Sequence, residues 1–574
     1  MHALFQISEL RRLIFEYLER EEQVCCAQVC RAWSGVALDI VWYKVDNLAM
    51  IANVLSPVKK IKVGEVPPSR NSRKSYHFEC LPGPKAWKRF ESMYSNRVRI
   101  LYHHRADGDC SSILRRIQII RSSSSQIFPH LHTIHWETSK NTELYDVIMF
   151  MHDQVKHFTI SCSIFQEEVG DQLPGNDATQ LVVEAISTRV PLINTLKLDI
   201  ALPSEWAPCI AQILRNLHCL KSVQIPSFED MSHVLSSLSI RQGLKSVELC
   251  RYGPPAVLSA SGGVAQRALA NIGTFRSRLR GGTNLCSGAS DVENDAFSSL
   301  EHFSALVREY STMNTFFQHR EFHHLRSIKL RVSPVDDSKS VQKLFRAISR
   351  NCPSLEKLNL GWDSFRDVQD DVLVLEDIQD ILSCKKIKEF EFYAPFMFDF
   401  SDEDVEQIAL AWPQIHRIVL CPYPVGRQHS NKKLSLWAVF LLIHLCPGLK
   451  DVSLCINTRA YDTPRLTPSS LPIRIMTAQS QNHHWKVAEL ESLVLGYFDL
   501  QPGDEFETAE LLGQICGPLC QLEYGIDLDD EDEDYDKTED RWETVKSLFP
   551  RFSKIYSSIN HLEKELESLR ISVK

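Results

Sequence analysis

The sequence predicts an α/β protein in which three short N-terminal helices precede a curved solenoid of alternating helices and short parallel strands. Two observations carry that expectation. Three successive segments within residues 1–45 place apolar residues at helical spacing, and from about residue 130 an apolar pattern at i, i+3 and i+5 recurs along the chain. The 574 residues are 44% hydrophobic and 24% charged, the composition of an ordinary globular chain with ample material for a large core.

At the start, Ser8 stands where it can cap a helix whose Leu10, Leu13, Ile14, Tyr17 and Leu18 form one apolar stripe. The charged run Glu19 to Glu22 is expected to end it. Val24, Cys25, Ala27 and Val29 mark a second helix, and Trp33, Ala37, Leu38, Val41 and Trp42 a third. A unit of roughly forty residues has too little interior to bury all of this surface, so part of it must meet something else. IFEYL at 14–18, VCCAQVCRAW at 24–33 and ALDIVW at 37–42 resemble the F-box, in the form found in fungal F-box proteins with leucine-rich repeats. WKRFESMYSNRVRIL at 87–101 resembles the segment C-terminal to the motif in those proteins, while Ser8 replaces the proline that usually opens the first helix. The resemblance implies a plug for the Skp adaptor of SCF-type ubiquitin ligases, and through it a cullin. It implies adaptor-facing residues among Ile7, Leu10, Ile14, Leu18, Val24, Val29, Trp33, Leu38 and Trp42. The same residues read equally as the core of a small helical domain, because periodicity does not separate core from interface.

Residues 46–125 read as linker helices and a degenerate first repeat, with a polar loop at 64–75 and a helix running into a strand at Trp87–Leu101. The recurring pattern then appears at Leu131/Ile134/Trp136, Ile193/Leu196/Leu198, Leu220/Val223/Ile225 and Leu244/Val247/Leu249. It resumes at Leu325/Ile328/Leu330 and runs through sets beginning at Leu355, Ile387, Ile415, Leu449 and Leu490 to a degenerate Leu519/Leu522/Tyr524. In NCPSLEKLNL, AWPQIHRIVL and LCPGLKDVSL the proline sits at one offset before the strand, where it stops the preceding helix. These segments resemble leucine-rich repeats, which implies a solenoid over 126–526 in which each strand-helix unit buries its apolar face on its neighbours. Gly/Ser-rich residues 251–300, with a short helix near Val264–Leu269, and Pro-containing residues 458–482 are expected as inserted loops. Residues 527–540 read as an acidic linker and 541–574 as a C-terminal helix. There Phe552, Ile555, Ile559, Leu562, Leu566 and Leu569 form a heptad seam, read as a cap on the last repeat in preference to a coiled coil.

Several function classes are excluded at this level. The 17 cysteines contain no C-x-x-C and the chain has no N-x-S/T sequon, so buried thiols in the cytoplasm or nucleus are expected. The start reads as a folded helix and not as a signal peptide, and the apolar run 437–443 reads as a buried helix too short to span a bilayer. The acidic run holds ten carboxylates and one lysine, which accounts for the whole net charge of −9. The remainder carries no global basic field for nucleic acid or membrane. His130, His132 and His135 have poor spacing for a metal site, and no nucleophile elbow or phosphate-binding loop is present, so neither cofactor nor catalysis is expected.

The candidate substrate-binding surface is therefore the line of outward strand residues, chiefly Lys221, Lys245, Arg326, Lys329, Arg331, Lys357, Lys388 and Arg417. Solubility explains such residues as well as ligand binding does. The combined resemblance implies a non-catalytic substrate receptor of an SCF-type ligase that captures an unidentified protein. A repeat scaffold working without ubiquitin transfer is the alternative.

Overall fold

The computed structural model describes residues 7–572 except 63–73, 105–107, 122–125, 139–140, 163–175, 201, 229–230, 251–296, 308–309, 319, 333–337, 363–371, 394–396, 421–433, 457–489, 497–499, 501 and 525–532. The loop at 458–482, all but the end of the one at 251–300, the helix near Val264–Leu269 and all but the last two residues of the polar loop at 64–75 thus lie outside the described residues. The rest forms two compact units, the first ending at Cys250 and taking in Phe297, the second beginning at Ser298.

Unit 1 opens with α1 (Ser8–Glu16), α2 (Arg20–Val29) and α3 (Arg31–Val41). Ser8 does not cap α1. The extended Ile7 takes the cap position, and Ser8 is the first helical residue, its Oγ donating to Glu9 Oε2 at 2.9 Å. Nor does the charged run end α1. Glu19 and Glu22 form a capping box that begins α2. At the end of α1 the carbonyls of Phe15 and Leu18 accept from Gln23 Nε2 at 3.0 and 2.9 Å, that of Phe15 also from the Leu18 N–H at 3.2 Å.

The strands begin at β1 (Lys44–Val45), followed by α4 (Leu48–Leu55), the antiparallel pair β2 (Val58–Lys62) and β3 (Lys74–Phe78), and α5 (Pro84–Met93). Then come β4 (Ile100–His103), α6 (Ser111–Ile120), β5 (Thr133–Thr138), a 3-10 segment Asn141–Phe150, β6 (His157–Cys162) and α7 (Asn176–Arg189). β7 (Thr195–Asp199), α8 (Ala207–Asn216), β8 (Ser222–Pro226), α9 (Ser232–Ser239) and β9 (Ser246–Cys250) complete the unit. The parallel order is β1-β4-β5-β6-β7-β8-β9. Register aligns Leu101, Ile134, Phe158, Leu196, Val223 and Val247, all buried, so alternate side chains of every strand form one continuous apolar spine.

His103 occupies the next inner row, opposite Trp136, with ring centroids 4.4 Å apart. Burial pushes its pKa down to about 4, and the neighbouring His104 adds to the effect. As pH falls below the ordinary 6.5, the unfolded chain takes up this proton first. Stability is then lost progressively until the folded value is reached. Between pH 6.5 and about pH 5 this group alone should cost unit 1 roughly 2 kcal/mol. A His103→Leu variant should lose correspondingly less over the same range of denaturation midpoints, and parallel losses would count against the assignment.

Unit 2 contains β10 (His302–Val307), α10 (Tyr310–Gln318), β11 (Ser327–Val332), α11 (Ser338–Asn351), β12 (Lys357–Trp362), β13 (Val372–Leu373) and α12 (Leu375–Ile378). β14 (Glu389–Phe392), β15 (Met397–Phe398), α13 (Asp402–Ala411), β16 (Arg417–Leu420), α14 (Leu436–Leu445) and β17 (Asp451–Cys455) come next. The unit closes with β18 (Ser492–Gly496), α15 (Glu505–Ile515), β19 (Gln521–Tyr524) and α16 (Glu533–Ser572). Its parallel sheet runs β10-β11-β12-β14-β16-β17-β18-β19, with β13 and β15 paired apart from it. In α11, Val341, Leu344, Phe345 and Ile348 are buried at i, i+3, i+4 and i+7, one face turned to the strands. Cys352, Trp412 and Cys446, each directly before the helix-stopping proline, are buried anchors. α14 is buried all round as expected, and among the described residues no helix is long and apolar enough to cross a membrane. Strand, turn and helix thus repeat within each unit in an α/β architecture resembling a leucine-rich-repeat solenoid.

α16 begins at Glu533, inside the stretch expected as linker. It covers the end of the repeats with Trp542, Val545, Phe549 and Ser553, all buried. The heptad seam is a different face: Ile555, Ile559, Leu562, Leu566 and Leu569 are 42–60% exposed. Of the seam only Phe552 turns inward, half-buried with its ring centroid 4.8 Å from that of Phe506, so the contact with the last repeat is made mainly by the other face.

Candidate functional site

Two surfaces could meet a partner. The first is helical. Within α1 only Arg11 and Phe15 are buried, and α2 buries nothing. Phe15 packs on Trp33 with ring centroids 5.2 Å apart, Arg11 donates to the Ala32 carbonyl, and Arg20 pairs with Asp46 at 3.0 Å. With α1 anchored through Phe15, the face bearing its apolar stripe turns outward. Ile7, Leu13, Ile14 and Tyr17 are exposed, Tyr17 at 91%, and α2 adds Val24 and Val29. Leu10, Leu18, Trp33 and Leu38 are half-buried at the margin. Trp42 is not part of this surface. It is 4% exposed, with its ring centroid 4.7 Å from Tyr94, because it ends α3 against the aromatic cluster at the end of α5. Leu13 and Tyr17 belong to the surface although only their place in the stripe marked them.

The second surface is the outward side of the strands. In unit 2 register sets acids beside bases: Lys357 pairs with Glu389 at 2.6 Å, Lys388 with Glu356 at 2.8 Å, and Arg417 with Glu391 at 2.8 Å and Asp451 at 3.4 Å. Arg326 approaches Glu356 at 3.9 Å, and the Lys388 hydrogen bond helps hold the Glu356 carboxyl below its ordinary pKa. Arg331 lies over Gly361 with its guanidinium 5.8 Å from the Tyr393 ring centroid. Neither Arg331 nor Lys329, which is exposed between Ser304 and Asn359, makes an ion pair among the described residues. The basic excess expected here is thus largely neutralised by neighbours one strand away.

Lys221 and Lys245 lie in unit 1, in the row directly before the strands. Their row is linked by backbone bonds in which His132 N donates to Arg99 O, Lys156 N to His132 O, Lys221 N to Asn194 O and Lys245 N to Lys221 O. Burial pushes the His132 imidazole pKa down, with the neighbouring His157 and Arg99 adding to the effect. His135 is pushed down in the same way, with Lys197 the main charge. His132 faces Tyr43 and His135 faces Tyr102, and no metal-binding cluster occurs among the described residues.

A search of curated proteins finds no match. Among solved structures the chain is similar to an internalin (inlF) from Listeria monocytogenes str. 4b F2365. The two share 11% identity over 68% of this chain and 89% of that one, with a TM-score of 0.28. Domains of the F-box kind generally bind Skp-type adaptors. Residues 8–47, which carry the exposed apolar strip, match the F-box-like family model, and the chain has an F-box-like domain at this position.

Proposed function

We propose that this chain is the substrate-recognition subunit of an SCF-type ubiquitin ligase. The F-box-like helices dock a Skp-family adaptor and through it a cullin, while the strand-helix repeats hold a substrate protein. The observation that carries this reading is the coincidence of the F-box-like match at 8–47 with an unpartnered apolar strip inside it, Ile14, Tyr17, Val24 and Val29. Such a strip costs solubility unless a partner covers it. On this reading the chain makes and breaks no bond. Its contribution to ubiquitin transfer is to hold the substrate near the loaded conjugating enzyme, in the cytoplasm or nucleus.

The test is co-purification of the Skp adaptor with wild type and with an Ile14→Asp/Val29→Asp variant. Both side chains are exposed, so the variant should keep its thermal midpoint while losing the adaptor. Adaptor retained by a folded variant, or absent from wild type, would sink the reading. Detection of a cullin with wild type distinguishes a ligase receptor from a scaffold that works without ubiquitin transfer.

A further inference from the structure

The two units treat the charges at the entrance of their strands differently. In unit 2 that row runs Glu301, Arg326, Glu356, Lys388, His416, Lys450 and Glu491, with Glu356 paired to Arg326 and Lys388 and Lys450 bonded to Glu491, so acids stand among the bases. The next row continues the mixture with Lys357, Glu389, Arg417 and Asp451. In unit 1 the entrance row reads Arg99, His132, Lys156, Asn194, Lys221 and Lys245, and the row after it Thr133, His157, Thr195, Ser222 and Ser246. No carboxylate stands in either. Acidic residues of this face occur further along the strands and are engaged there, Asp199 with Ser161 at 3.0 Å, Glu137 with His104 at 3.0 Å, and Glu248, beside Gln224, with the Cys250 thiol. Asp153, in the turn before Lys156, lies 3.9 Å from His152. The hydroxyls orient the imidazoles: His132 Nδ1 is 2.8 Å from Thr133 Oγ1, and His157 Nδ1 is 3.1 Å from Thr195 Oγ1.

Parallel strands lie about 4.8 Å apart, so the six-strand row spans roughly 24 Å, the length of about seven extended residues. A row that carries Arg99, Lys156, Lys221 and Lys245 with no carboxylate among them, on a sheet edge whose counterpart in unit 2 is balanced, is complementary to an acidic strand of chain lying across it. We propose that the entrance edge of the unit 1 sheet, centred on Lys156, His157 and Lys221, docks an Asp/Glu-rich segment of the captured protein. This deepens the receptor reading and rests on its premise that the repeats hold a protein.

The probe is a fluorescein-labelled peptide of about ten residues rich in Asp and Glu, beside its Asn/Gln counterpart, titrated into the full chain by anisotropy. The acidic peptide should bind, and its affinity should fall about tenfold or more as salt rises from about 50 to about 300 mM. It should fall at least as far in a Lys156→Glu/Lys221→Glu variant, and be unchanged in Lys343→Glu, an exposed position on α11 of unit 2. Lys221→Glu alone, at an exposed position, covers the case in which the double variant misfolds. Equal binding by the Asn/Gln peptide, undiminished binding by either unit 1 variant, or no binding to wild type at low salt would overturn the proposal. So would capture of a phosphoserine peptide or of oligo(U) where the carboxylate peptide is ignored. Adaptor co-purification is scored on the same preparations. Wild type that keeps the adaptor but ignores the peptide removes this site and leaves the adaptor reading standing, and the reverse result does the opposite.

Discussion

Replacing Trp412 with alanine should lower the stability of unit 2 by about 3–5 kcal/mol, read as a fall in its denaturant midpoint. Trp412 is fully buried and directly follows α13, where its N–H still donates to the Ile408 carbonyl at 3.1 Å. Its ring centroid is 4.9 Å from that of Phe390, and Phe390 lies 6.3 Å from Phe345, so one indole joins a helix end to two neighbouring repeats. Removing it opens a cavity between elements that are tied on both sides by parallel strand ladders and cannot close over it. Trp412→Phe should cost less than about 1.5 kcal/mol, because it keeps the ring contact. It also removes an indole N–H that meets no acceptor among the described residues. A small loss for alanine, comparable to that for phenylalanine, would mean that the repeats can slide together at this point. That would contradict a rigidly stacked architecture.

Trp412 also shows what the sequence can and cannot convey. Its place before Pro413 matches that of Cys352 and Cys446, so the buried anchor was readable from the repeated offset alone. β6 and β10 were not recognised as repeats, although Val155/Phe158/Ile160 and Leu300/Phe303/Ala305 carry the same spacing. The inner side of a strand asks for an apolar side chain of fitting volume, and leucine is only its commonest answer. On α1 the stripe was visible but its direction was not. Which face a helix buries is decided by what it meets, here Phe15 against Trp33. The charged surface was misjudged for a related reason. Lys357, Lys388 and Arg417 count as cations one at a time, whereas Glu389, Glu356 and Glu391, about thirty residues distant in sequence, stand one strand away in space. Only the register turns a basic tally into a neutral ladder.

Gly513→Ala should destabilise unit 2 by about 2–3 kcal/mol and release α16 to limited proteolysis. Taken in isolation the substitution favours the helix, since alanine gains about 1 kcal/mol over glycine within α15. Packing reverses the sign. A Cβ at Gly513 would stand 2.5 Å from Phe552 Cβ and 2.9 Å from both the Phe552 carbonyl carbon and the Ser553 nitrogen. Two of these atoms are backbone, which has no rotamer to change, so α16 as a whole must move. That movement strains the bond from Ser553 Oγ to the Cys516 carbonyl, 2.8 Å long, and lifts Val545 and Phe549 from their buried seats. Gly361→Ala is the internal contrast. There the nearest atoms belong to the Arg331 side chain, which can swing away from Tyr393 at small cost to stability. A stabilised Gly513→Ala protein would show that helix propensity outweighs this contact. The face bearing Trp542, Val545 and Phe549 would then not be what closes the last repeat.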